Sequence, residues 1–195
     1  AIEYYKRAVN LGDSDAIFNL ALCYENEEKY TEAIELYEQG TNLGDSAAMV
    51  ELALHYKKGK YIMKDINKAV ELLLQAFNLK NSDAIHNLAL CYKNGEGVEQ
   101  NINKAIELLL QASDLKNSDA ICDLAICYKK GEGVEQDINK TIELLNQSIE
   151  LDNNSIAIIE LAKCYKKGKG VEQDINKTIE LLNQALDEND NTGSM

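Results

Sequence analysis

The chain writes one fifteen-residue word three times: "GEGVEQNINKAIELL" at 95–109, "GEGVEQDINKTIELL" at 131–145 and "GKGVEQDINKTIELL" at 168–182, 36 and then 37 positions apart. Self-similarity at such a period restricts a chain to repeat architectures. Each unit is too thin to bury its own apolar flank and must stack on its neighbours. A shorter word, Leu-Ala-x-x-Tyr, extends the pattern to Leu20, Leu52, Leu88, Leu124 and Leu161, with spacings of 32, 36, 36 and 37. Each copy sits in a stretch such as "NSDAIHNLALCYKNG" (81–95), followed by one such as "NINKAIELLLQASDLK" (101–116). Both carry apolar residues at i, i+3, i+4 and i+7, and none alternates with the period of two that a strand requires. The fold class is therefore all-α, built from helix-turn-helix repeats of a helix A and a helix B.

The punctuation agrees with this reading. Helix A opens after Asp13-Ser14, Asp45-Ser46, Asn81-Ser82, Asn117-Ser118 or Asn154-Ser155, side chains that accept bonds from the free amides of a first turn. It closes at Gly59, Gly95, Gly131 or Gly168, where glycine takes a left-handed conformation at little cost. Helix B opens at Asp65, Asn101, Asp137 or Asp174 by the same capping logic. Between them Val98, Val134 or Val171 is the one apolar anchor of the Gly-x-Gly-Val loop. That loop is not a phosphate cradle, which needs a preceding strand and a third glycine. The first full unit lacks the Gly-x-Gly-Val insert, and residues 1–11 align with 33–43, a helix B without its helix A. The expected layout is one repeat domain over 1–188, divided at 1–11, 12–43, 44–80, 81–116, 117–152 and 153–188, with a flexible polar tail at 189–195.

Composition narrows the function. The net charge is −13 and the only arginine is Arg7, the reverse of what a nucleic-acid or anionic-membrane surface demands. No apolar run is long enough to cross a bilayer. Five cysteines without a Cys-x-x-Cys pair suit neither a zinc site nor a disulfide framework, so the cytoplasm (or a host cytosol, for an effector) is the expected location. No cofactor is expected. His55 and His86 stand in different repeats, and no four ligands converge. No Ser/His/Asp or paired-carboxylate motif suggests catalysis, so a non-enzyme is expected.

The 36-residue spacing, the Gly-x-Gly-Val loop, the Asp before helix B and the Lys-Ala step (Lys68-Ala69, Lys104-Ala105) resemble Sel-1-like repeats. The unit at 12–43, with Ala16, Leu20, Ala21, Tyr24, Ala33 and Tyr37, resembles the related tetratricopeptide repeat. The chain departs from the family at two places: alanine replaces the glycine that often follows the helix-A leucine, and Leu72-Leu73 or Leu108-Leu109 replaces an aromatic pair in helix B. The resemblance implies a right-handed α-α superhelix (solenoid) acting as a protein–protein interaction scaffold or adaptor. A cysteine-rich subgroup ties helix A to helix B by disulfides, and some such relatives are credited with hydrolase activity. Helix B here has no cysteine, and no nucleophile–base pair can be named.

By analogy with tetratricopeptide stacks, helix A lines a concave wall. One ladder is Phe18, Val50, His86, Cys122 and Ile159. The other is Leu22, Leu54, Leu90, Ile126 and Lys163. Between them run Asn19, Glu51, Asn87, Asp123 and Glu160. Such a wall suits an extended peptide or a partner helix; the competing reading is that some of these residues pack between adjacent A helices. A carboxylate clamp would need Lys or Arg here, and they are nearly absent. The expected core is the Leu and Tyr of the word, with Ala69/Ala105 and Leu73/Leu109; Leu74 and Leu110 fall on a convex surface. The lysines ending helix A (Lys57-Lys58, Lys93, Lys129-Lys130 and Lys166-Lys167) are expected to interact favourably with its C-terminus; the alternative reading is a basic stripe that takes an acidic peptide. The structural alternative is self-association through the terminal repeats, since Ile175, Ile179 and Leu182 have no following helix A to cover them.

Overall fold

The computed structural model describes residues 1–192 and shows, over them, eleven α-helices and no strand. The A helices are α2 (Ser14–Asn26), α4 (Ser46–Lys58), α6 (Ser82–Asn94), α8 (Ser118–Lys130) and α10 (Ser155–Lys167). The B helices are α1 (Ile2–Asn10), α3 (Tyr30–Asn42), α5 (Ile66–Asn78), α7 (Ile102–Asp114), α9 (Ile138–Asp152) and α11 (Ile175–Thr192). They group into two compact units, one up to Gln100 and one from Asn101 onward. In each, every helix packs on the one before and the one after it. Helix α11 runs on to Thr192, into the segment read as tail, and residues 193–195 lie outside the described residues.

The termini form where the side chains dictate. Asp13, Asp45, Asn81, Asn117 and Asn154 each accept a first-turn amide of an A helix, at 2.8–3.3 Å. Asp65, Asn101, Asp137 and Asp174 do the same for the B helices at 2.9–3.0 Å. Each such cap stabilises its helix by about 1 kcal/mol. Gly59, Gly95, Gly131 and Gly168 end the A helices in the left-handed conformation.

The leucines and alanines of the Leu-Ala-x-x-Tyr word are all buried, as are Ala69, Ala105, Leu73 and Leu109. The tyrosines differ from expectation. Only Tyr56 is buried; Tyr24, Tyr92, Tyr128 and Tyr165 are half-buried, because a phenol keeps one end where it can meet water or a charge. The Lys6 ammonium, for instance, lies 5.8 Å from the centre of the half-buried Tyr24 ring. Where the later repeats exchange alanine for Thr141 and Thr178, both buried, the new hydroxyl donates to the Asp137 or Asp174 carbonyl at 2.7 Å and is satisfied.

The repeated loop joins one repeat to the last. Its second glycine lies against helix B of the preceding repeat: a Cβ on Gly97 would stand 2.8 Å from Ile66 Cγ2 and 2.9 Å from Val70 Cγ2. On Gly133 it would stand 2.5 Å from Ile102 Cγ2. The glutamine two residues after the valine reaches back to helix A. Gln100, Gln136 and Gln173 donate to the carbonyls of Lys93, Lys129 and Lys166 at 2.8, 2.7 and 3.0 Å. These carbonyls lie in the last turn, which the helix itself leaves unpaired. The second repeat reads "GKYIMKD" instead, with Tyr61 at the second-glycine position. It meets the preceding helix B differently: Tyr61 stacks on Tyr30 with ring centres 3.7 Å apart and 8° between planes.

Candidate functional site

The wall residues divide by unit. In the first, Phe18, Asn19, Leu22, Glu51, Leu54, His86, Asn87 and Leu90 are half-buried. In the second, Asp123, Ile126 and Ile159 are half-buried and Lys163 is exposed. Val50 and Cys122 are a correction: at 4% and 3% exposure they are core residues and present no surface. Their side chains are short enough to stay beneath the wall, whereas Phe18, His86 and Ile159 at the same position are longer.

The polar row is more committed than its sequence suggests. Asn19 and Asn87 donate their amide nitrogens to the carbonyls of Asp15 and Asp83, each at 2.9 Å and one turn back. Each bond uses one of the two N–H groups, so beyond it the side chain has a second donor and its carbonyl acceptor. Burial pushes the Glu51 carboxyl above the ordinary glutamate range, and the negative charges of Glu25 and Asp83 add to that against the opposing Lys58. In the second unit Glu160 holds Lys129 and Lys163, both at 2.6 Å. Burial pushes Glu160 up, but the two ammonium groups outweigh it and leave its carboxyl below the ordinary value.

Two arrangements were not anticipated from the sequence. Glu25 on α2 meets His55 Nε2 of α4 at 2.7 Å and accepts from the Tyr37 hydroxyl of α3 at 2.9 Å, tying three helices together through a largely buried polar cluster. Burial, and next the Glu25 charge, push the Tyr37 phenol far above its usual range. Also, the lysines ending helix A do more than complement a helix terminus. Lys57 pairs with Glu96 at 2.8 Å and Lys129 with Glu160 at 2.6 Å, each in the next repeat. The lysine that recurs after the Tyr of the word was an available signal for the second arrangement, whereas Glu25 and His55 stand where the other repeats have Lys and Cys, and partners 30 to 39 residues apart require the stacking to be known.

The helix-B glutamates Glu107, Glu143 and Glu180 are exposed and pair with Lys104, Lys140 and Lys177 at 3.0, 2.7 and 2.6 Å. Burial raises the thiols of Cys91, Cys164 and Cys122, the last to about 12. All five cysteines are free thiols. Among the described residues no cluster of three or more His, Cys, Asp and Glu is placed to hold a metal, and no helix is long and apolar enough to cross a membrane.

Comparison with known proteins fits this geometry. The Sel1 repeat model matches residues 1–13, 46–81, 82–117, 118–153 and 155–190, and a tetratricopeptide repeat model matches 14–51. No curated protein sequence matches the chain. Among solved structures, a Sel1 repeat protein from Oxalobacter formigenes is 20% identical with a TM-score of 0.79, over 96% of this chain and 84% of its own. A sel1 repeat protein from Klebsiella pneumoniae is 24% identical with a TM-score of 0.67, over 98% and 95%. A protective antigen of uropathogenic Escherichia coli with the same kind of fold is 24% identical with a TM-score of 0.73; this chain covers 40% of its length, with 95% of itself aligned. These likenesses show a common fold. With Sel1 repeats matched over most of its length, next to one tetratricopeptide-like unit, the chain belongs to the Sel1 repeat family.

Proposed function

We propose that the chain is a non-enzymatic interaction module that binds a peptide or protein segment along the helix-A face of its units, as a scaffold or adaptor. One observation carries the reading. Every leucine and alanine of the repeated word is buried, yet Leu22, Leu54, Leu90, Ile126 and Ile159 on the neighbouring face stay only half-buried. Apolar positions held at the surface in successive repeats are what an anchor-binding groove requires.

The polar row supports a class of partner. Beyond these bonds Asn19 and Asn87 each carry a second N–H and a carbonyl oxygen, and Glu51 carries a charge that its surroundings disfavour. An extended segment with a basic residue suits both, by its backbone N–H and C=O groups at the amides and by a Lys or Arg near Glu51. The partner proposed is therefore a basic, amphipathic segment. An array of peptides matched in hydrophobicity but varied in charge tests this. Basic members should bind, with affinity falling as salt is added. Preferential binding of acidic members would overturn the assignment.

A further inference from the structure

Two of the three Gly-x-Gly loops hold a glutamate between their glycines, Glu96 and Glu132; the third holds Lys169. In the first unit that glutamate has a defined partner. Glu96 takes the ammonium of Lys57, from the last turn of α4, at 2.8 Å. The counterpart of Lys57 in the second unit is Lys129 on α8, and the loop residue that would neutralise it there is itself a cation. Lys129 instead meets Glu160 on α10 at 2.6 Å, a carboxylate that also holds Lys163. Among the described residues neither Lys130 nor Lys169 forms an ion pair.

A cavity of about 420 Å³ lies at this reversal, lined by Lys129, Lys130, Gln136, Ile138, Lys169 and Gly170. Three parts of the second unit build it: the last turn of α8, the start of α9 and the loop after α10. Gly170 holds the loop against α9, where a Cβ would stand 3.1 Å from Ile138 Cγ1. Gln136 donates to the Lys129 carbonyl at 2.7 Å, so that acceptor is taken. No carboxylate close in sequence is part of the wall. Asp137 accepts from the Lys140 amide at 2.9 Å, Glu172 lines a separate cavity beside Tyr165, and Glu132 and Glu135 are not lining residues. Burial raises the Cys164 thiol, and the charges of both Lys129 and Lys169 oppose it, so the two converge on one region. On a chain of net charge −13 this is a local reversal of sign.

We infer that the cavity is an anion site for a small organic molecule carrying a phosphomonoester. Lysines act as separate point charges, whereas a carboxylate is matched best by the planar fork of arginine, and the only arginine, Arg7, belongs to the other unit. A phosphomonoester brings three acceptor oxygens and a charge of about −1.5 to −2 at neutral pH, one oxygen for each of three ammonium groups. Lys129 keeps N–H donors beyond the one that Glu160 takes. Ile138 and the lysine stems supply an apolar floor for the organic body, and the volume is that of a small-molecule site. None of these residues belongs to the helix-A face of Leu54 and Leu90, so this inference and the proposed binding face stand or fall separately.

Phenyl phosphate is the probe, titrated calorimetrically into the full chain, with benzoate as the singly charged control of similar body. Phenyl phosphate should bind saturably at one site per chain, and more tightly than benzoate. Lys169→Glu restores the residue that the two sister loops carry, so the fold is kept; it should weaken binding by about tenfold or more, the loss of one charge-assisted bond. Lys130→Gln, at an exposed side chain, should weaken it in the same direction with helical circular dichroism retained. Lys177→Gln removes a lysine outside the cavity, paired with Glu180, and should leave the affinity nearly unchanged. The inference is overturned by any of four results: no saturable binding, benzoate bound as tightly, undiminished affinity in Lys169→Glu, or an equal loss in Lys177→Gln, which would mean general charge attraction.

Discussion

Glycine at 97, 133 and 170 does two things at once: it adopts φ near +70°, and it lets the loop touch the preceding helix B. Gly131→Ala meets only the backbone penalty, because its nearest neighbour, Gln136 Cβ, stands at 3.4 Å. It should cost about 1 kcal/mol. Gly133→Ala adds a clash with Ile102 and Ile106 and should cost about 2–4 kcal/mol in urea unfolding. Equal losses would mean the second glycine is not a contact residue. The reverse case is Lys116, a lysine at φ +60°, where two earlier helix-B ends use Gly12 and Gly44. Relief of that conformation outweighs glycine's greater unfolded-state entropy, so Lys116→Gly should stabilise by about 0.5–1 kcal/mol. A lowered urea midpoint would contradict it.

Glu51 brings the same scale to pH. Its folded-state pKa is raised, chiefly by burial, so the folded chain holds this proton more tightly than the unfolded chain. Its contribution is fully present below the unfolded value of about 4.3 and is lost as pH rises through the folded value. Glu51→Gln should therefore match the wild type in acid and exceed it in stability at neutral pH. A gap that is widest in acid would contradict the sign.

At the scale of the element, the helices and their ends were legible because they depend on residues within one turn. An Asn or Asp side chain caps the amides two or three positions on, and Gly59 or Gly95 stops a helix through its own φ. Gln100, Gln136 and Gln173 could have been suspected from their recurrence, but their acceptor lies seven residues back across a loop whose course the sequence does not state. The Glu25–His55–Tyr37 cluster was beyond reach, since it joins residues 30 and 12 apart on three helices. The wall was half legible. The analogy marked helix-A residues of which most are half-buried, while the depth of Val50 and Cys122 depends on how closely neighbours approach. One element-scale consequence is locality. Leu124→Ala should destabilise by about 2–5 kcal/mol, with hydrogen exchange accelerated mainly in α7–α9 and little changed in α2 and α3. Uniform acceleration along the chain would contradict it.

At the scale of the whole molecule, buried thiols and stacked helices leave the surface as the functional part. With Cys91, Cys122, Cys127 and Cys164 buried, only half-buried Cys23 should react quickly with a thiol reagent under native conditions, followed by mass spectrometry. Even labelling of all five would contradict the packing. The central claim is that the helix-A face, rather than exposed apolar surface in general, captures a partner. Leu54 and Leu90 lie on that face; Leu74 and Leu110 are exposed on B helices. The direct measurement is affinity capture with the full chain, comparing Leu54→Glu/Leu90→Glu with Leu74→Glu/Leu110→Glu at equal helical circular dichroism. The account predicts that the first pair loses the segments bound by the wild type and the second keeps them; retention by the first pair, or equal loss by both, would contradict it.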